Sequence, residues 1–311
     1  MRFGKKPLVI PIICVFFLGA AFSGSCGRET GESDIDPEKI IGKVELPPLD
    51  NGQKTASQIN EWKKKFEKDD SSREARKPAS EKINTKLPDF TKYKDVETKK
   101  KKFFNFLRPI IRKENQKVLK ERAYVLLKWQ KFQKKETLKP EETERLEELA
   151  KKYRVKSQYS DGVPFFRDLL IHIDKVPVDL ALIQAAKESA WGTSYFATEG
   201  NNLFGQWCFK EGCGLVPRQR PEDATYEVKI FDNVEGSVRA YIRNLNSHPA
   251  YRDLRKQRYM MRLAGGEPDG HYMASGLESY SEIGIKYVNT VRQMIRGNQR
   301  FMGIYDTTSN T

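Results

Sequence analysis

The chain is short of the residues that build metal centres. Across 311 residues it has four cysteines and three histidines. His172, His248 and His271 show no ligand-like spacing, so neither a metal nor any other cofactor is expected. Long apolar runs are also scarce. The one such run, Leu8 to Phe22, is shorter than the roughly 20 residues a membrane-spanning helix needs. Between residues 27 and 95 aromatics are few, Lys, Glu, Asp and Ser are plentiful, and Pro37, Pro47, Pro48, Pro78 and Pro88 interrupt the chain. Such a segment offers too little apolar surface to offset its ordering entropy, and a disordered tether is expected there. No internal repeat is evident.

The apolar run has a different use. Arg2, Lys5 and Lys6 precede it and Ser23-Gly24-Ser25-Cys26 follows, so residues 1–26 read as a signal peptide ending at a lipobox cysteine. Ser23 stands where a larger aliphatic residue is usual, which leaves ordinary cleavage after Ser25 open. A lipid on Cys26 would anchor the mature chain to a membrane leaflet, on the periplasmic side of the cell envelope. Cys14 lies in the leader, so Cys208 and Cys213 are the remaining pair. In an oxidising compartment they are expected to form a disulfide across a tight loop with Gly212 and Gly214.

Charge narrows the partners. Lys and Arg number 56 against 42 Asp and Glu, a net +14. That balance suits anionic lipid or anionic wall polymer. Export argues against nucleic acid, and the run Lys99 to Lys102 reads as the solvated start of a helix.

Helical periodicity begins near Lys99. Val118, Arg122, Val125, Trp129 and Phe132 recur on one face, and a second helix opens at Pro140 and presents Leu146, Leu149 and Tyr153. Residues 96–160 are therefore expected to form a helical hairpin. Further helices are expected over Val234 to Asn246 and from Tyr287 to about Arg296. An antiparallel hairpin is expected from Gly214 to Arg220 and Tyr226 to Phe231. The fold class is α+β, mainly α, with residues 301–311 as a flexible tail.

The most informative stretch is ALIQAAKESAWGTSYFATEGNNLFG, Ala181 to Gly205. Pro177 and Asp179 suit a helix start, and the helix that follows is small or apolar on most sides. A Glu on such a helix, Glu188, sits near the core. Desolvation there penalises the ionised form and raises the pKa, as a general acid requires.

Glu188 followed by Trp191-Gly192 and then Asn202-Leu203-Phe204-Gly205 resembles the signature of the glucosaminidase family of peptidoglycan hydrolases, most closely its Bax-type branch. The likeness extends through Trp207-Cys208, Cys213, Val216-Pro217, Glu227 to Phe231, Leu245-Asn246, His248 to Tyr251 and Tyr280 to Arg296. It implies a lysozyme-like catalytic domain over residues 161–300, with a β-lobe facing the helix of Glu188 across a glycan cleft. Peptidoglycan strands are the implied partner, and a monomer is expected. Trp191, Asn202, Phe204, Tyr280 and Tyr287 are the implied substrate-binding residues.

Cleavage of a β-1,4 glycosidic bond needs an acid for the leaving oxygen and a group that stabilises the oxocarbenium-like charge. Glu188 is expected to be the acid. The expected first strand of the lobe, Gly214 to Arg220, has no carboxylate, which leaves Glu222, Asp223 and Glu227, with Glu227 best placed by its strand. The substrate's own N-acetyl group is the alternative nucleophile. Two other functions stay open at this stage: a lytic transglycosylase, and a glycan-binding envelope scaffold without turnover.

Overall fold

The computed structural model describes residues 36–49, 60, 85–221 and 223–304. The expected signal peptide with Cys26, most of the expected tether, Glu222 and residues 305–311 lie outside them. No described helix is long and apolar enough to cross a membrane.

Helix α1, Val96–Gln133, is the axis of the molecule. Its 38 residues span about 57 Å at 1.5 Å per residue. Asp95 caps its start by accepting from the Thr98 N–H at 2.7 Å. Phe103, Phe104, Leu107, Ile110, Ile111, Val118, Val125 and Trp129 are buried along it at helical spacing. Around it pack α3 (Val163–His172), α4 (Val178–Glu188), α6 (Val234–Ser247) and α9 (Ile285–Met302). Helix α2, Pro140–Tyr153, folds back on α1, as the hairpin reading requires. The hairpin packs on the helices that follow it. One continuous core runs from Phe90 to Met302, because the aromatic end of α1 is buried against the helices after residue 161.

Two other expected boundaries shift. Within the expected tether, residues 36–49 lie on the core through Ile40, Ile41, Val44, Leu46 and Leu49. Trp129 Nε1 donates to the Glu45 carbonyl at 2.9 Å, and the Tyr259 hydroxyl donates to the Pro47 carbonyl. Residues 85–95 also belong to the fold: Phe90 is buried against Phe103 and Phe106, and the Val234 N–H donates to the Thr85 carbonyl. Apolar residues thinly spread among polar ones anchor both stretches. At the other end, Phe301 and Met302 are buried residues of α9, so the expected tail does not begin at 301.

The sheet is small. Strands β1 (Trp207–Cys208), β2 (Gly214–Leu215) and β3 (Glu227–Lys229) are antiparallel in the order β1-β3-β2. The expected pairing of the Gly214 and Glu227 segments is present with Leu215 opposite Val228, and β1 adds a third strand with Trp207 opposite Val228. A Cβ on Gly214 would meet the Val228 carbonyl at 2.1 Å, so only glycine lets the strands approach this closely there.

A buried ionic cluster fixes the approach to α4. The last carbonyls of a helix lack partners within it, and two arginines supply them at the end of α3. Arg122 donates to Leu170 and Ile173, and Arg258 donates to Ile171, His172, Asp174 and Lys175. The Asp174 carboxylate balances this charge, with Arg262 at 3.0 Å and Arg122 at 3.6 Å. Desolvation works against its ionisation, yet Arg122, Arg262 and Arg258 hold its carboxyl far below the usual range. Asn115 then pins Val176 in both directions, Nδ2 to the carbonyl at 2.7 Å and Oδ1 from the N–H at 3.0 Å. Helix α4 thus leaves a rigid base.

Candidate active site

Helix α4 is buried on all sides from Asp179 to Ala186, and Glu188 closes it. The chain then turns through three consecutive residues with positive φ, Ala190 at 50°, Trp191 at 62° and Gly192 at 76°. Ser189 stabilises the turn by donating to the Ala185 carbonyl at 2.6 Å and accepting from the Gly192 N–H at 2.8 Å. Gly192 has a second reason to be glycine, since a Cβ there would lie 2.7 Å from the Phe90 ring. The sequence motif of small residue, Trp and Gly after Glu188 is therefore a device that ends the helix abruptly and leaves the carboxyl at its tip.

Glu188 is half-buried, and its Oε1 accepts from the Tyr287 hydroxyl at 2.9 Å. Burial raises its pKa above the ordinary carboxylate value; the Lys187 charge and the Tyr287 hydrogen bond oppose the rise without cancelling it. The carbonyl end of α4 also disfavours negative charge at this position. Oε2 makes no hydrogen bond among the described residues. A carboxyl with a raised pKa and one oxygen free can donate a proton to a leaving oxygen.

Behind Glu188 lies a polar chain inside an apolar core. Tyr241 donates to Gln184 Oε1 at 2.6 Å, and Gln184 Nε2 donates to the Tyr287 oxygen at 3.1 Å. Gln184 is one helical turn before Glu188 on the same face. Neither Gln184 nor Tyr241 was among the expected site residues. The signal was available: a Gln flanked by Ile183 and Ala185 on an otherwise apolar stretch, Leu180 to Ala186, must find partners if buried.

The other expected site residues divide by burial. Tyr287 is 1% exposed and reaches Glu188 with its hydroxyl. Tyr280, 3% exposed, stacks on Tyr287 with ring centroids 5.2 Å apart and donates to the Phe204 carbonyl. Phe204 is fully buried and stacks on Tyr241 at 3.9 Å. Asn202, 1% exposed, clasps its own turn, donating to the Gln206 and Lys229 carbonyls and accepting from the Phe204 and Gln206 N–H groups. Trp191 is half-buried, with its ring against Phe103 and Phe104 and Lys100 Nζ 5.3 Å from its centroid. Asn202, Phe204 and Tyr280, expected to bind substrate, are buried in this structure and build the wall behind Glu188.

Glu227 is placed apart from this chain. It is 4% exposed on β3, and its oxygens accept from the N–H groups of Gly212 at 3.0 Å and Gly214 at 2.7 Å. Those bonds hold its carboxyl below the usual range. They tie together the loop closed by the Cys208–Cys213 disulfide, which is formed as expected. Glu227, expected as the second member of a catalytic pair, braces the lobe with one backbone N–H on each oxygen. Asp223 is an exposed turn residue. Cys208, Cys213 and Glu227 also bring three potential metal-ligand atoms together, but sulfurs bonded to each other are not thiolate ligands.

Comparison with known proteins agrees with this architecture. Residues 164–300 match the family model Glucosaminidase, described as mannosyl-glycoprotein endo-beta-N-acetylglucosaminidase. The chain is 35% identical over 223 residues to Protein bax of Escherichia coli (strain K12), covering 71% of this chain and 78% of that protein. No solved structure matches. The mainly helical body, the three-stranded lobe and the carboxyl at the end of α4 are those of a chain that belongs to the glucosaminidase family of glycan hydrolases, in its Bax-type branch.

Proposed function

We propose that this protein is an exported peptidoglycan hydrolase of endo-β-N-acetylglucosaminidase type, with Glu188 as the general acid. The observation that carries the reading is the state of Glu188: raised in pKa by burial, held on Oε1 by Tyr287 and without a bond on Oε2. Protonated Oε2 gives its proton to the glycosidic oxygen as the bond to the anomeric carbon breaks. With Glu227 committed to backbone donors, the positive charge at that carbon is best met by the substrate's own N-acetyl oxygen. Water then attacks on the opposite side, with ionised Glu188 as base.

The basic surface suits anionic wall polymer, and the leader with Cys26 suits attachment to a membrane leaflet in the cell envelope. Because residues 36–49 dock on the body, a lipid on Cys26 would hold the fold close to the membrane.

A second reading, the lytic transglycosylase, is favoured by the same commitment of Glu227, since that reaction needs one acid and no water. Mass spectrometry of fragments from purified peptidoglycan separates the readings. The proposed hydrolase leaves reducing N-acetylglucosamine ends, and Glu188→Gln leaves the polymer intact. Anhydro-muramyl ends would establish the transglycosylase, and no new ends a non-catalytic glycan binder.

A further inference from the structure

The polar chain behind Glu188 has a direction. Tyr241 and Gln184 are 2.6 Å apart, a distance typical of O–H to O, whereas Gln184 and Tyr287 are 3.1 Å apart, within the range of N–H to O. The amide oxygen therefore faces Tyr241 and the amide nitrogen faces Tyr287. The Tyr287 oxygen is an acceptor on one side, and its single proton is left for Glu188 Oε1 on the other.

We infer that Gln184 and Tyr241 are positioning residues that point the Tyr287 proton at Glu188 Oε1 and so confine the acid proton of Glu188 to Oε2, the oxygen free for a substrate. A proton on Oε1 would face the Tyr287 proton head to head. On Oε2 it meets no described group. The inference rests on the general-acid reading of Glu188 for its consequence in turnover, but not for its geometry.

Tyr241 makes no hydrogen bond to Glu188. Tyr241 stands on α6, two hydrogen bonds from Tyr287. Its hydroxyl bonds only Gln184 among the described residues, so its removal leaves the buried amide oxygen without a donor. The amide then gains by turning over. Its oxygen accepts from Tyr287, the Tyr287 oxygen accepts from Glu188, and the acid proton is drawn to Oε1, away from the substrate. The Phe204 stack on the ring at position 241 is retained by phenylalanine.

The charged and titratable groups facing Glu188 are Lys187 on its own helix, Tyr287 on α9, Tyr241 on α6, and Tyr251 and Tyr280 from the segments between. Burial raises the pKa of all four tyrosines, so they stay neutral as Glu188 titrates. A change in the Glu188 midpoint on altering Tyr241 therefore reports the hydrogen-bond chain.

The test is Tyr241→Phe, with Gln184→Met as a second variant that removes the relay from its middle. Two measurements are made on the full-length protein: steady-state turnover of peptidoglycan fragments, and the Glu188 ionisation midpoint by infrared difference spectroscopy against Glu188→Gln. In Tyr241→Phe kcat is expected to fall about tenfold with KM unchanged, the scale of one transition-state hydrogen bond. The Glu188 midpoint is expected to rise by about one pH unit in Tyr241→Phe as its ionised form loses a donor, and to rise less in Gln184→Met, where no amide oxygen competes for the Tyr287 proton. Wild-type kcat and midpoint in folded Tyr241→Phe, or an equal rise in Gln184→Met, would overturn the inference, whatever the melting temperature. If the wild-type protein turns over no glycan, the hydrolase reading fails, while the midpoints still decide the direction of the proton.

Discussion

Glu188 and Glu227 are the same side chain in two regions that treat it in opposite ways. At the tip of α4, Glu188 is placed at the carbonyl end of a helix, partly removed from water, and given one phenol donor. In the β-lobe, Glu227 is given two backbone N–H groups around a disulfide loop. The pKa rises at the first and falls at the second. Both carboxyls are shielded from water, Glu227 the more so, and the number of donors to the ionised form therefore decides the sign of the shift. A third carboxylate marks the other extreme. Asp174 is buried more deeply than either, yet stays ionised because arginines surround it.

The largest effect expected from breaking this contrast is in Glu188→Gln, where turnover should fall at least about a hundredfold, the usual scale for losing a general acid. The same variant should be more stable than wild type at neutral pH. The folded pKa of Glu188 is raised, so its ionisation destabilises the fold as pH rises through that value, and glutamine never ionises. The gain should vanish in acid below the ordinary carboxylate pKa, as followed by melting temperature against pH. Near-normal turnover in this variant would remove Glu188 from the mechanism.

Asp174→Asn should have the largest effect on stability, a loss of about 3–5 kcal/mol, because it leaves buried Arg122 and Arg258 without their counter-charge and Arg262 with Glu267 alone. Denaturant unfolding measures it. In the wild-type protein the contribution of this depressed carboxyl is present above the ordinary carboxylate pKa and is lost as pH falls toward the folded value. His172 titrates higher but in the same direction. Burial lowers its pKa to about 4, so its contribution fades as pH drops below about 6.5.

Removing the disulfide with paired Cys208→Ser and Cys213→Ser should cost about 2 kcal/mol by loop entropy, read as a lower denaturant midpoint. Glu227→Gln should have a smaller effect on chemistry than any change at Glu188. A brace that loses its charge loosens the loop and lowers the melting temperature, with turnover reduced less than about tenfold. A hundredfold loss in a folded Glu227→Gln protein would return Glu227 to the catalytic pair. The smallest effect is expected at the amino-terminal strap. With a protease site placed after Asp70, cutting should leave residues 36–49 bound to the body through Trp129 and Tyr259 in gel filtration. A free amino-terminal fragment would show that docking to be too weak to matter.

Much of this was legible in the sequence, and the limits have physical causes. Helix periodicity located α1, α2, α6 and α9, because half-buried helices must separate apolar and polar faces. Glu188 stood out because it follows an almost wholly apolar stretch, and the cysteine pair because so few cysteines remain. The strap was hidden because Ile40, Ile41, Val44, Leu46 and Leu49 are diluted among charges and prolines, and composition averages over them. The burial of Asn202, Phe204 and Tyr280 is not legible for a different reason. A motif marks residues that a fold requires, and a residue that shapes a wall leaves the same trace as one that touches a ligand. Gln184 and Tyr241 are 57 positions apart, a pairing that only the tertiary fold reveals.

Whether the two regions move their glutamates in opposite directions is read by titrating both side-chain carboxyl carbons by NMR, with Glu188→Gln and Glu227→Gln supplying the assignments. The Glu188 midpoint is expected above the ordinary value of about 4.3 and the Glu227 midpoint below it. Equal midpoints, or the reverse order, would overturn the contrast between the helix tip and the lobe.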